Sequence, residues 1–441
     1  MKARRMVLGL IVLVALGIAA YFWLNRSDPN AGSAPPLAGA PTTATTIARG
    51  EYLARAADCV ACHTVPGSGK DFAGGVAFVL PFGTIYSSNI TSDPETGIGA
   101  WSDEDFVRAM HDGVRKDAKH LYPAFPYTSY TALSRADVLA IKAYLFSLPP
   151  MKEPRRSNEL SFPFNQRWAM GFWNAAFFKS QRFENDDSKP AQWNSGAYLA
   201  TALGHCAECH TPRDFGFGLK HGSELAGEEV QGWKAYNITS DSQYGIGAWT
   251  DEQIAAYLKS GHAAGRASAS GPMAEVVSNS LQYLTAQDIA SLVSYLRSVP
   301  ARTGPLHLAA DTSPPPAARA SATLPAQAAL RAANDPGLGL FAGNCTGCHT
   351  WDGFGRQTVY ADLHGARAMA DPAATNITQV ILHGSHYRIG EQDIYMPAFA
   401  GGYSDAEIAA LSNFAVRYFG NQPGTLTAQD IARRRKDMQA P

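Results

Sequence analysis

A chain of 441 residues is too long for one small core and leaves room for about three domains. Its formal net charge of −1, with a pI near 6.9, denies it the basic face that a nucleic-acid partner requires. The six cysteines all fall inside three copies of one pentad, so none is left for a disulfide.

In chain order, the first element is an unbroken apolar run from Met6 to Leu24, preceded by Lys2, Arg4 and Arg5 and followed by Asn25 and Arg26. About 19 apolar residues can cross hydrocarbon as a helix, and the basic flank should stay in the cytoplasm. Gly17 and Ala19 offer a small-x-small cleavage pattern, but Tyr21 to Leu24 carry the apolar run beyond it. Segment 1–25 therefore reads as a retained anchor, with a cleaved signal as the alternative. Either reading puts the rest of the chain on the periplasmic side.

Two copies of one unit follow, at 45–150 and 191–300. Gly50-Glu51-Tyr52-Leu53 returns as Gly196-Ala197-Tyr198-Leu199, and each opens a helix expected to carry the cysteines on its last turn. Asn89-Ile90-Thr91-Ser92-Asp93 returns as Asn237-Ile238-Thr239-Ser240-Asp241, and Gly97 to Trp101 returns as Gly245 to Trp249. Each copy closes with a capped helix, Ser134 to Ser147 and Thr285 to Ser298, with Asp137 and Asp288 at the third position after the capping hydroxyl. Between the copies, 151–190 is an aromatic-rich connector; its stretch Phe162 to Phe183 suits either a docking or membrane-surface segment or packing between the units.

The span 301–336 is rich in Pro and Ala, including Pro314-Pro315-Pro316, and reads as a semi-stiff linker. A looser third unit at 337–425 keeps Gly339, Phe341 and Asn376-Ile377-Thr378 and ends in a helix from Ser404 to about Tyr418, while 426–441 is a tail. The Asn-Ile-Thr triplets match a glycosylation sequon, but at a bacterial outer face a loop beside a cofactor crevice is the better reading.

The pentads are Cys59, Cys62 and His63; Cys206, Cys209 and His210; Cys345, Cys348 and His349. Two thiols three residues apart can each add to one vinyl group of a haem, while the adjacent imidazole faces the iron. A lone CxxC would leave zinc or dithiol chemistry open; three copies, each followed by His, point to three covalently bound haem c groups.

A thioether opposite the histidine gives a six-coordinate, low-spin iron of raised potential. Met273, in the loop expected before the second closing helix, and Met396, beside Pro397 before the third, are the candidate sixth ligands. Either could instead be a core filler. In the first unit, Phe125 stands where methionine is expected, which leaves its iron five-coordinate or served by Met110, His111, His120 or Met151. Met110 aligns with Leu258 and reads as core; His111 aligns with Lys259 and reads as solvated.

These blocks, with Leu121 to Tyr127, Phe162 to Arg167 and Ser270 to Met273, resemble the triple-haem cytochrome c subunit of bacterial membrane-bound alcohol, aldehyde, gluconate and fructose dehydrogenases. The resemblance spans nearly everything after Gly50. It implies a mainly α protein of three class I cytochrome c-like domains in tandem plus an N-terminal transmembrane helix. It also implies a separate catalytic subunit of molybdopterin, PQQ or flavin type as electron donor, and ubiquinone in the cytoplasmic membrane as acceptor. Phe125 departs from the Leu-Tyr-Pro-Ala-Met-Pro-Tyr pattern of the alcohol dehydrogenase branch and leans toward a molybdopterin aldehyde dehydrogenase. No dinucleotide, flavin, quinone or molybdenum motif is visible, so substrate oxidation belongs to the partner. Two alternatives of other kinds are a haem enzyme acting on a small ligand at an open first site and a donor cytochrome to a terminal oxidase.

Overall fold

The computed structural model describes residues 9, 12, 34–40, 44–305 and 335–439. Apart from Gly9 and Val12, the expected anchor lies outside the described residues, as does most of the expected linker. Among those described, no helix is long and apolar enough to cross a membrane.

The described chain is largely helical, and its backbone is organised by paired helices. In the first pair, α1 (Thr46–Ala56) crosses the closing helix, which runs Arg135–Ser147 behind the Ser134 cap. The same crossing joins Ala191–Tyr198 to Ala286–Ser298, and Pro336–Asn344 to Asp405–Gly420. A glycine sits at each crossing because the two backbones touch there. A Cβ on Gly50 would come 1.8 Å from the Ala140 carbonyl oxygen, one on Gly196 1.8 Å from that of Ser291, and one on Gly337 2.2 Å from that of Ala410. The third-unit glycine at the crossing is thus Gly337 and not Gly339, beside which a Cβ would meet nothing within 4 Å.

The cysteines do not lie on the last turn of the opening helices. In the first unit α1 stops at Ala56, Asp58 takes a left-handed conformation (φ 50°), and a separate short helix, α2 (Cys59–His63), carries the pentad. In the second unit a π turn over Leu199–Leu203 and a positive φ at His205 make the same break.

The carboxylates at the third helical position also do something other than cap. Tyr198 donates its hydroxyl to Asp137 Oδ2 (2.7 Å) and accepts from the Ser134 N–H (3.1 Å). Reciprocally, Tyr52 donates to Asp288 Oδ2 (2.5 Å) and accepts from the Thr285 N–H (3.1 Å). The first two units therefore exchange identical contacts about an approximate two-fold axis. The surroundings of the two carboxylates differ: the Arg49 Nε–H donates to Asp137 Oδ1 (2.8 Å), whereas backbone N–H groups of Ala38 and Gly39 donate to Asp288.

The third unit docks differently. Lys234, on the hairpin strand Trp233–Ala235 of unit two, pairs with fully buried Asp371 at 2.7 Å. Its backbone N–H and C=O are both bonded by the side chain of Asn376 (2.8 and 3.0 Å). Asn376-Ile377-Thr378 is consequently not a crevice loop: it lies in the helix Thr375–His383 and serves the interface. The segment 426–441 is likewise more than a tail, because the helix Ala428–Gln439 buries Ile431 completely and bonds Arg435 Nε to Asp405 (2.6 Å).

The connector adds strand Glu159–Leu160 to the hairpin Ala77–Leu80 and Gly83–Tyr86, giving a three-stranded antiparallel sheet, and then forms α3 (Met170–Phe177).

The Tyr198→Phe variant strips the only described donor from Asp137 Oδ2 at a fully buried site, and should lower the unfolding free energy by about 1–3 kcal/mol. Tyr52→Phe should cost less, since Asp288 Oδ2 keeps the Gly39 N–H; denaturant titration of the two variants checks the order.

Candidate haem sites

The three pentad histidines have one environment in common. His63 Nδ1 lies 2.7 Å from the Ser88 carbonyl oxygen, His210 Nδ1 2.6 Å from that of Tyr236, and His349 Nδ1 2.7 Å from that of Ala361. A carbonyl can only accept, so each Nδ1 carries the hydrogen and each Nε2 presents its lone pair. Burial lowers all three imidazole pKa values, which keeps the rings neutral and able to ligate.

In the first two units the carbonyl belongs to the residue just before the Asn-Ile-Thr triplet. The Asn89 amide donates to the Met151 carbonyl (2.7 Å) and its Oδ1 accepts from the Thr91 N–H (2.9 Å); Asn237 does the same with Arg302 and Thr239. The Gly97 and Gly245 positions make this turn possible, since a Cβ on either would lie 2.3 Å from the carbonyl oxygen of Thr91 or Thr239. The repeated blocks are thus the mould that orients each histidine.

Beside His63, Cys59 and Cys62 line a cavity of about 900 Å³. Its walls are largely apolar, with Ile90, Ile98, Phe106, Met110, Phe125 and Leu145, and its charged lining sets Arg115, Lys116, Arg155 and Arg167 against the carboxylates of Asp58, Glu95 and Asp117. Arg155 has no hydrogen-bond acceptor among the described residues; partial desolvation, then Arg115 and Arg167, hold it below its ordinary pKa. A flat apolar ring with two carboxylate arms fits this slot, and the thiols of Cys59 and Cys62 stand in its wall.

Burial pushes the thiols of Cys59 and Cys62 up to about 12 and those of Cys206 and Cys345 to about 11, so none is a ready thiolate. No group of three or more His, Cys, Asp or Glu converges among the described residues, which leaves the zinc reading without a ligand set.

Met273 lies in the first turn of the helix Gly271–Asn279, not in a loop; Pro272 starts that helix. This helix packs against α2 of the first unit, and burial raises the pKa of the Cys62 thiol with lesser contributions from Asp58, Cys209 and Glu275 of the neighbouring copy. The first pentad helix therefore borders the second unit. Met396 ends the strand Gln392–Met396 and packs in the same apolar cluster as Cys345 and Phe341.

The alternatives for the first unit are sorted by the fold. Phe125 lines the cavity 5.4 Å from the Tyr130 ring, and of the four substitutes only Met110 shares that wall. His120 Nδ1 faces the Asn174 amide at 3.3 Å, and Met151 is used through its backbone. The expectation that His111 is solvated fails: it is 1% exposed, with its desolvated ring beside the Leu133 backbone and within the field of Arg182 from the connector.

Residues 47–149 match the family model described as cytochrome c, and residues 332–414 match that described as cytochrome C oxidase, cbb3-type, subunit III. The chain is 38% identical over 400 residues to the fructose dehydrogenase cytochrome subunit of Gluconobacter japonicus, covering 88% of this chain and 82% of that one. It is 35% identical over 402 residues to the cytochrome c subunit of the alcohol dehydrogenase (quinone) of Gluconobacter oxydans, covering 88% and 82%. It is 39% identical over 383 residues to a nicotinate dehydrogenase subunit of Pseudomonas putida, covering 86% of this chain and only 31% of that longer protein.

Fold, pentads and oriented imidazoles thus define an electron-carrying c-type cytochrome that holds haem c covalently. Within that class, the chain belongs to the family of cytochrome c subunits of fructose and alcohol dehydrogenases.

Desolvation, reinforced by Arg182 and Arg135, lowers the His111 pKa from 6.5 to about 3. The unfolded chain then binds a proton at pH 5 that the folded chain does not, so stability falls as pH drops below about 6.5. Between pH 7 and 5 the native protein should lose about 2 kcal/mol more than a His111→Leu variant, measurable by urea unfolding at the two pH values.

Proposed function

We propose that the chain carries three haem c groups, attached at Cys59 and Cys62, Cys206 and Cys209, and Cys345 and Cys348. His63, His210 and His349 are the proximal ligands in this reading, and Met273 and Met396 complete the second and third sites. The observation that carries it is the shared Nδ1–carbonyl contact, which turns all three Nε2 atoms into ligands. Bound haem supplies reversible one-electron iron chemistry. The residues supply the rest: apolar walls keep water off the ring, and the arginines of the first mouth neutralise its carboxylates.

In this reading the chain takes electrons from a catalytic dehydrogenase subunit and delivers them to ubiquinone at the periplasmic face of the cytoplasmic membrane. Phe125 supports a molybdopterin aldehyde dehydrogenase as partner ahead of the PQQ and flavin types. The approach of α2 to the Gly271–Asn279 helix supports direct exchange between the first two sites. Mass spectrometry of the purified protein should give the polypeptide plus three porphyrins, and co-purification from native membranes should bring down the catalytic subunit. A single porphyrin, or a colourless preparation, overturns the reading.

Phe125 offers no donor atom, so the reduced protein should bind carbon monoxide at one iron in three, and Phe125→Met should abolish that binding and raise one potential. If Met110→Leu is needed before carbon monoxide binds, Met110 is the sixth ligand instead.

A further inference from the structure

Between Leu160 and Phe178 the only charged residue is Arg167. The fold turns this stretch outward. Phe162 is 78% exposed, Trp168 68% and Phe172 72%; the tight turn Asp214 to Gly218 presents Phe215 at 96% and Phe217 at 43%. With Phe164, these are all of the largely exposed Phe and Trp side chains among the described residues.

Ring contacts draw most of them into neighbouring groups. Phe82 stacks on Phe164 with centroids 4.4 Å apart and meets Phe217 edge-on at 5.4 Å. Phe177 of α3 contacts Phe215 at 6.5 Å, and the Trp173 indole N–H donates to the Gly216 carbonyl at 2.7 Å. Trp168 and Phe172 meet at 6.0 Å. Close in sequence to these rings, Arg155, Arg156, Lys179 and Lys220 are exposed, as is the carboxylate of Glu159.

We propose that this aromatic surface is a monotopic contact with an anionic phospholipid bilayer, inserting Phe162, Trp168, Phe172 and Phe215 at headgroup depth. Three observations favour lipid as the occupant. Side chains standing nearly clear of their neighbours enter soft hydrocarbon, whereas a protein partner needs a fitted hole for each. Exposed Trp and Phe with four exposed Lys and Arg close in the chain match the interfacial belt and the negative lipid surface. The same chain carries the Met6–Leu24 run, and about ten residues from Leu24 to Ala34 reach at most about 35 Å, so the described part stays close to any bilayer that run enters.

The inference rests on the reading of the chain as an electron carrier at a membrane, and it adds orientation. Tyr122 donates its hydroxyl to the Phe164 carbonyl (2.9 Å) and Arg167 donates to that of His120 (2.6 Å). Both side chains line the mouth of the first crevice, so the contact fixes that mouth at the lipid surface, within reach of a lipid-soluble acceptor.

The test uses the full chain in phosphatidylglycerol–phosphatidylcholine vesicles containing a photoreactive phospholipid, with adducts located by mass spectrometry. Label is expected on the peptides holding Phe162 to Phe172 and Phe215. The triple variant F162S/W168S/F172S should lose that label about five-fold or more while its haem absorbance and the labelling of the Met6–Leu24 peptide stay unchanged. Label confined to residues 1–33, equal labelling of the variant, or labelling abolished when the catalytic subunit binds would each overturn the proposal. The porphyrin count and reduction by the dehydrogenase are untouched by that failure, so the two readings fail separately.

Discussion

A carboxylate buried beyond the reach of water must be fully hydrogen-bonded or the fold loses several kcal/mol, and the joint between the first two units is built on two of them. Asp137 and Asp288 are essentially inaccessible, and each receives the hydroxyl of the tyrosine in the other copy's first helix. Satisfying one carboxylate places a helix of the opposite unit, so the two units cannot slide or rotate without stranding a charge. Through this joint the pentad helix of the first unit comes to rest on the helix that bears Met273.

Within each unit the governing constraint is backbone contact. The glycines at 50, 196 and 337 let paired helices touch, and those of the Gly-Ile-Gly blocks let a turn fold onto the triplet that holds the loop beside the histidine. The carbonyl so placed chooses the imidazole tautomer, which leaves the Nε2 lone pair free. Chain geometry and imidazole chemistry are thus linked by one hydrogen bond per pentad.

The third unit obeys the same local rule through a different carbonyl, that of Ala361, and has given its Asn-Ile-Thr triplet to the joint with unit two. Similar words in a sequence served unlike purposes because Asn376 lies in a helix and Asn89 and Asn237 in loops. The first unit departs in another way, with a largely apolar crevice facing Phe125 and charges of both signs in its lining.

The sequence by itself determined the pentads, the internal repeat, the capped closing helices and the family, because each is written in contiguous residues with a fixed chemical spacing. It also marked Tyr52 with Tyr198 and Asp137 with Asp288 as matched pairs, without saying that they bond across units. Only tertiary structure decided that, along with the burial of His111, the helical setting of Met273 and the gathering of aromatic residues from two distant loops into ring contact. Those outcomes depend on which element covers which face, and contacts between residues dozens to hundreds of positions apart leave no periodicity in the chain that would announce them.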